Sequence, residues 1–459
     1  MTQPIGNVLR MRTPIGGKGC GWSWLLALGL IAAPVEARAE PPVVVWDERI
    51  EVDSGTAFRG PWRMNASEFF YVDDPTVAIT EENVVGVAWA DQTRQNVFFQ
   101  VYGPDGSPRF AAPVNVSRSP KIFSWLPRMV MAPDDGREVY ILWQEIVFSG
   151  GSHGGETLFA RSLDGGRTFD TPVNLSNSIA GDGKGRLSAH RWHNGSLDIV
   201  MNPDGRLYVA WTEYEGRLWF RRSTDRGDTF SEPMLIVGGG ASDPARGPAL
   251  AVDAKGTVHL AWTVGEDKTA DIRFATSKDQ GRSFGTPQIV SDGDGHADAP
   301  KIAVDRQGTV HLVYAESPDG PFERYHIRYA RKADGAGAFD EPKEISTPQT
   351  GQFDSVGFPA LSLDGRDNIY VIWEIFPDRR GWSHGLGLAV SGDGGKTFTA
   401  PSIIPGSMDP ALGVNGSQQG LLMRKLAVNG SGEIAVVNST FKRNRTSHIW
   451  LTRGRGAKR

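Results

Sequence analysis

Four copies of one octapeptide, Ser-x-Asp-x-Gly-x-Thr/Ser-Phe, constrain this chain more than any other feature. They occupy residues 162–169 (SLDGGRTF), 223–230 (STDRGDTF), 277–284 (SKDQGRSF) and 391–398 (SGDGGKTF). Degenerate copies end at Phe110 (GPDGSPRF) and Phe339 (KADGAGAF). The six aspartates, Asp105, Asp164, Asp225, Asp279, Asp334 and Asp393, are spaced by 59, 61, 54, 55 and 59 residues. That period exceeds a helical pair and fits one four-stranded sheet per repeat. The octapeptide has the chemistry of a turn. Its aspartate accepts hydrogen bonds from nearby backbone N–H groups, its glycine takes positive φ, and its Phe can pack back between sheets.

A second pattern precedes each turn. Residues 248–253 (PALAVD), a Lys255-Gly256 turn and residues 257–262 (TVHLAW) read as strand, turn, strand. Its relatives end at Trp89, Trp143, Trp211, Trp262, Tyr314 and Trp373, and a seventh spans residues 433–438. A third strand runs into each octapeptide and a fourth leaves it, so each unit holds strands A to D. There are seven A–B pairs but six octapeptides. The missing outer strand has a candidate in residues 40–45 (EPPVVV), which resemble residues 231–237 (SEPMLIV). The expectation is an all-β, seven-bladed propeller of four-stranded antiparallel blades, closed by the N-terminal strand. Six blades with the first segment as an extra is the alternative.

The first 39 residues read as a signal peptide. Arg10, Arg12 and Lys18 precede an apolar run over residues 22–33, and Ala37-Arg38-Ala39 supplies the cleavage site. The alternative is a retained anchor. Residues 40–459 are then one propeller domain, secreted or periplasmic, and no later segment is apolar enough to span a membrane. Removing the leader takes away Cys20, the only cysteine, and leaves 45 basic and 52 acidic residues, a net charge of −7. That balance speaks against nucleic acid as a partner, and thiol chemistry and Cys-based zinc sites are excluded. No cofactor is expected, since the chain has no Cys-x-x-Cys-His. Nor is a metal: residues 292–298 (DGDGHAD) have a calcium-loop composition but lack the spacing and terminal Glu of an EF-hand.

In a propeller the variable D–A and B–C loops share one face around the channel, and function is sought there. Asp91, Glu145, Glu213 and Glu316 each follow a B-strand aromatic by two residues, which aims several carboxylates at one rim. Arg128, Arg191, Arg246, Arg379, Arg380 and Arg424 belong to the same loop class. Trp125, Trp192 and Trp382 add flat faces suited to sugar rings or cations. The densest stretch, residues 188–195 (SAHRWHNG), places His190 and His193 three apart around Arg191 and Trp192. His259 and His311 repeat within B strands and read as packing.

The octapeptide resembles the Asp-box (BNR) repeat of the sialidase superfamily, where it is a structural turn remote from the active site. Family sialidases have six blades, and other Asp-box propellers have seven or more. The resemblance implies a glycan-active enzyme of sialidase type. It would hold a substrate carboxylate with three arginines, use a Tyr–Glu pair as nucleophile and an Asp as acid/base. Carried over, this nominates Arg191, Arg246 and Arg424 for the anion, and Glu213 with Tyr214 or Tyr325 as the nucleophile pair. Asp298 or His193 would transfer the proton. His190, Trp125, Trp192 and Trp382 would contact the glycan. The family's Arg-Ile-Pro motif is absent where blade 1 begins, at Asp74-Pro75. Phe58-Arg59-Gly60-Pro61 is a loose echo, and Arg246-Gly247-Pro248 is a closer one in blade 4. A non-catalytic propeller that binds a glycan or a protein partner in the cell envelope is the alternative.

Overall fold

Among the described residues the octapeptide spacing resolves into seven antiparallel blade sheets, six of them four-stranded, with a short pair, Phe58–Arg59 and Phe69–Phe70, outside the blades. The computed structural model describes residues 41–457, apart from 64, 120, 146–154, 178–195, 214–215, 239–243, 292, 294, 348–352 and 417–423. The leader expected over residues 1–39 lies outside them. Residues 39–459 form one compact unit. The innermost strands are Val72–Ile79, Ser124–Met131, Leu197–Met201, Ala245–Val252, His296–Val304, Ser355–Leu363 and Leu426–Val428. Each packs against the next, and the last against the first, which makes a closed ring.

Closure occurs where the sequence places it. The third strand of blade 7, Thr446–Ala457, receives two N-terminal segments along its outer edge. Val43–Trp46 pairs with residues 454–457, and Ile50–Thr56 pairs with residues 446–451. The pairing is longer than the sequence reading, because the chain continues as a strand after the break at residues 47–49. Both segments alternate: Val44 and Trp46 join one core cluster and Ile50 and Val52 the next, while Val43 and Val45 face solvent. Both ends of the described residues thereby share one sheet, and neither leaves that edge unpaired.

The octapeptides are hydrogen-bonded turns at the C–D corners. In blade 2, Ser162 Oγ donates to Asp164 Oδ1 at 2.7 Å, the Thr168 amide donates to the same oxygen at 3.0 Å, and the Gly166 amide donates to Ser162 Oγ at 2.8 Å. Blades 3, 4 and 6 repeat these bonds. The terminal ring is the joint between blades. Phe169, Phe230, Phe284, Phe339 and Phe398 each pack edge-on to an aromatic in the third strand of the preceding blade, respectively Phe99, Phe159, Phe220, Phe274 and Tyr329, at centroid distances of 5.6, 5.0, 5.0, 5.0 and 4.8 Å. The glycine at the fifth position serves the same joint. Gly166 has φ 84°, and a Cβ there would stand 2.0 Å from the Phe99 ring. We expect Asp164→Ala to lower stability by about 1–2 kcal/mol, from the lost turn bonds, and to leave ligand binding unchanged. Urea denaturation alongside a binding assay checks both.

One further repeat sets up the channel. Five of the seven innermost strands carry a one-residue bulge at the same height, built from a left-handed residue followed by proline. The left-handed residues are Asp74 (φ 50°), Leu126 (φ 54°), Gly247 (φ 59°), Ala299 (φ 56°) and Phe358 (φ 53°). Only one is glycine, so the other four hold a conformation that costs a non-glycine residue roughly 1 kcal/mol or more.

Candidate functional site

The bulges sort side chains into two levels. The residue before each left-handed position (Asp73, Trp125, Arg246, Asp298 or Gly357) belongs to the loop face. The residue after each proline (Thr76, Arg128, Ala249, Lys301 or Ala360) stands three places before the end of its strand. Asp198 of blade 3 occupies that place without a bulge.

On the loop face Arg246, Asp298, His296 and Tyr325 form one cluster between blades 4 and 5. Arg246 Nε donates to Asp298 Oδ1 at 3.2 Å, and its Nη2 lies 3.2 Å from both Asp298 Oδ2 and His296 Nε2. The Arg246 Nη1 donates to the Gly265 carbonyl. Thr263 Oγ1 and the Ala299 amide also donate to Asp298 Oδ1, at 3.0 and 2.8 Å. Nδ1 of His296 lies 2.6 Å from the Asp267 carbonyl, and its ring meets Tyr325 edge-on at 5.9 Å. Burial alone would raise the Asp298 pKa, but Arg246 and His296 outweigh it and hold the carboxyl well below the usual carboxylate range. Burial, reinforced by Asp298, pushes the Tyr325 phenol up.

Three of the residues nominated from sequence, Arg246, Asp298 and Tyr325, are therefore together. Glu213 lies in the B–C turn of blade 3, where its amide donates to the Arg217 carbonyl at 2.9 Å; the turn abuts the start of the strand bearing Arg246 through the Ala245 amide and the Gly216 carbonyl, at 2.9 Å. Trp382 is 52% exposed at the B–C loop of blade 6. Tyr214, His190, Arg191, Trp192 and His193 lie outside the described residues. Arg424 is apart from Arg246: it reaches from blade 7 to blade 3, donating to Asp198 at 2.9 Å and to the Ile199 carbonyl at 3.1 Å. Trp125 belongs to an aromatic group with Phe69, Phe123 and Trp62, whose rings lie 5.8–6.3 Å from its own. Trp62, on the segment before blade 1, is 40% exposed and extends this surface; its place in no blade repeat hid it from the sequence reading. Three of the rim carboxylates are engaged with described residues: Asp91 with Arg94, Glu145 with Ser119 and Trp143, and Glu316 with Arg328. His311 lies between Tyr329 and Asp305, and His259 stacks on Phe274, as packing residues do.

Below the rim the channel is charged. Arg128, Asp198, Lys301 and Arg424 line the upper part of a cavity of about 400 Å³ that reaches the A–B turns at Pro133 and Pro203. Beside it, Lys425 is buried in an ion pair with Glu374, which also accepts from Ser383. Burial and the adjacent Asp74 push the Asp73 carboxyl well above its ordinary value. Lys301 and Arg128 carry a legible signal, since each follows a proline at the same point of its blade. No group of three His, Cys, Asp or Glu side chains arranged to hold a metal occurs among the described residues. No helix among them is long and apolar enough to cross a membrane.

No protein-family model matches the chain, and no curated protein sequence does. Solved structures do resemble it. The polysaccharide lyase Uly1 aligns at 12% identity over 88% of this chain and 99% of its own, with a TM-score of 0.50. The likeness is one of fold. A protein of unknown function from Dyadobacter fermentans aligns at 11% identity over 89% and 99%, with a TM-score of 0.47. A sialidase from Trypanosoma rangeli aligns at 13% identity over 86% and 70%, with a TM-score of 0.45.

Proposed function

We propose that this protein is an exported propeller that acts on an acidic saccharide at its loop face, as a glycoside hydrolase of sialidase type. One observation carries the reading: an arginine, a carboxylate, a histidine and a tyrosine converge between blades 4 and 5, at a rim that also exposes Trp62 and Trp382. A guanidinium suits a sugar carboxylate because its N–H groups form a planar fork. Exposed indole faces suit the apolar faces of sugar rings. The Asp-box-like turns and the fold shared with a polysaccharide lyase agree with this reading. In this arrangement Asp298 orients Arg246, and His296, anchored through Nδ1, presents Nε2 to the arginine. Tyr325 packs on that histidine and is the nucleophile candidate that the described residues bring to this cluster.

A second reading, glycan binding without turnover, is favoured by the state of two of these groups. Asp298 is ionised at neutral pH and Tyr325 resists ionisation, so neither is poised as found for proton transfer or attack. The deciding experiment measures sugar release by the purified protein from a glycoside panel led by a sialoside. Release of sialic acid supports the hydrolase. No release, with saturable binding of the same glycans by folded protein, supports the binding propeller, and neither release nor binding removes both.

A further inference from the structure

Tyr325 borders two spaces. Its ring meets His296 of the loop-face cluster edge-on, and the residue also lines a cavity of about 240 Å³ between blades 5 and 6. The loop-face reading gives that cavity no role. Tyr325 and Phe353 supply its rings, both partly buried and packed on the core cluster shared by the two blades. Ser346 and Ser355 supply hydroxyls. Both are buried, and each accepts from one backbone amide, Ser346 from Ile327 at 2.8 Å and Ser355 from Tyr325 at 2.9 Å. Among the described residues neither hydroxyl finds an acceptor for its own hydrogen, so each can still donate to a ligand. The charged groups around the cavity satisfy one another. Arg324 donates through Nε and Nη2 to Asp354 Oδ1, at 3.1 and 2.5 Å, and the Arg379 amide donates to Asp354 Oδ2 at 3.2 Å. Nδ1 of His326 lies 3.0 Å from Glu344 Oε1. The turn before Tyr325 is strained as well as exposed: Phe322 holds φ 64°, is 75% exposed, and donates its amide to the Tyr325 hydroxyl at 3.3 Å.

We propose that this cavity binds a neutral hexose, the sugar next to the acidic unit at Arg246, so that the ligand is at least a disaccharide of one acidic and one neutral unit. The inference rests on the loop-face reading and adds the class of its second sugar. Aromatic rings together with donating hydroxyls match a pyranose, which has an apolar face and a rim of hydroxyls. The paired charges decide against a second acidic unit. Arg324 is already committed to Asp354, so a carboxylate entering here would meet no free guanidinium and would face the carboxylates of Asp354 and Glu344. A neutral hydroxyl carries no such penalty. Tyr325 borders both spaces and would stand beside the bond that joins the two sugars, where the hydrolase reading needs its nucleophile.

The test compares three ligands on the full chain: methyl sialoside, sialyl-galactose and disialic acid, with the corresponding glucuronides as a second set. Apparent affinity is read as KM where sugar is released and as a calorimetric Kd where it is only bound. In the set that binds, the disaccharide with the neutral unit is expected to bind tighter than the methyl glycoside by about tenfold or more, and the doubly acidic one no tighter. Phe353→Ala removes a ring, and Arg324→Ala leaves Asp354 without its guanidinium. Each should bring the ratio of disaccharide to methyl glycoside within about threefold. Melting curves report whether the variants fold, and the wild-type ratios stand without them. Equal affinity for the two ligands in the wild type would overturn the inference and leave the loop-face reading in place. So would a preference kept in both variants, or tighter binding of the doubly acidic disaccharide. Absence of binding by every member of both sets would remove the loop-face reading, and this inference with it.

Discussion

Arg246→Ala is expected to lose sugar release or glycan binding by at least about a hundredfold, and to lower stability by about 3–5 kcal/mol. The second effect follows from Asp298. Its carboxylate is buried and ionised because Arg246 and His296 face it. Removing the guanidinium leaves that charge with two neutral donors, Thr263 and the Ala299 amide, and a histidine. The two effects separate with Arg246→Lys. An ammonium keeps charge near Asp298 and so most of the stability, but it cannot reproduce the planar fork that reaches Asp298, Gly265 and His296 together. Arg246→Lys should therefore stay folded in urea denaturation while its glycan activity remains low. Full activity in Arg246→Lys would show that the orientation Asp298, Gly265 and His296 impose on the guanidinium is not needed for the proposed glycan activity.

The second large effect belongs to Lys425 and Glu374. Both side chains are almost wholly enclosed, and the carboxyls of Asp73 and Asp74 lie close enough to the same amine to favour its charged form. Burial outweighs those carboxylates and pushes Lys425 down to about 7, so the ammonium is costly even beside its partner. Lys425→Met removes the only cation of the pair and leaves Glu374 enclosed with Ser383 as donor. The expected loss is about 3–5 kcal/mol, against a loss of about 1 kcal/mol or less, or even a gain, for Lys425→Met combined with Glu374→Leu. The sign of the pH effect is fixed by the amine. Its folded pKa lies below its unfolded value, so the unfolded chain binds more protons between about pH 7 and 10, and this residue makes stability rise with pH there. Urea midpoints at pH 7 and pH 9 should show a smaller rise in the double variant than in the wild type. An equal rise would place the depressed amine elsewhere.

What could be read in the sequence was what repeats. The aspartate spacing counts the blades, the B-strand aromatics mark their second strands, and residues 40–45 announce closure because they resemble an outer strand elsewhere in the chain. Sequence reading placed the octapeptide aspartates in turns for the same reason. What escaped was set by geometry that leaves little trace in composition. Leu126, Ala299 and Phe358 adopt left-handed backbone conformations that nothing in those residue types foretells, yet those bulges decide which neighbours belong to the rim and which to the channel. Arg424 was grouped with the loop arginines, but its long side chain crosses the channel to a strand more than two hundred residues away. Asp298, chosen for its place on the loop face, proved to be the partner of an arginine chosen independently. That pairing depends on two blades meeting, which no local pattern encodes.

The aromatic joints are not spread evenly around the ring. Phe169, Phe230, Phe284, Phe339 and Phe398 fasten five of the seven junctions, each in the same direction. Blade 7 has no octapeptide, and in blade 1 Phe110 lies against Phe99 of its own sheet. The two junctions flanking blade 7 are thus made differently. One of them relies on the N-terminal strand, where Asp53 accepts from Trp89 of blade 1 at 2.8 Å while its own strand pairs within blade 7. A circle fastened in this way has a clasp. We expect it to open first at blade 7, with residues 426–457 losing hydrogen-exchange protection before the six blades that the rings fasten to one another.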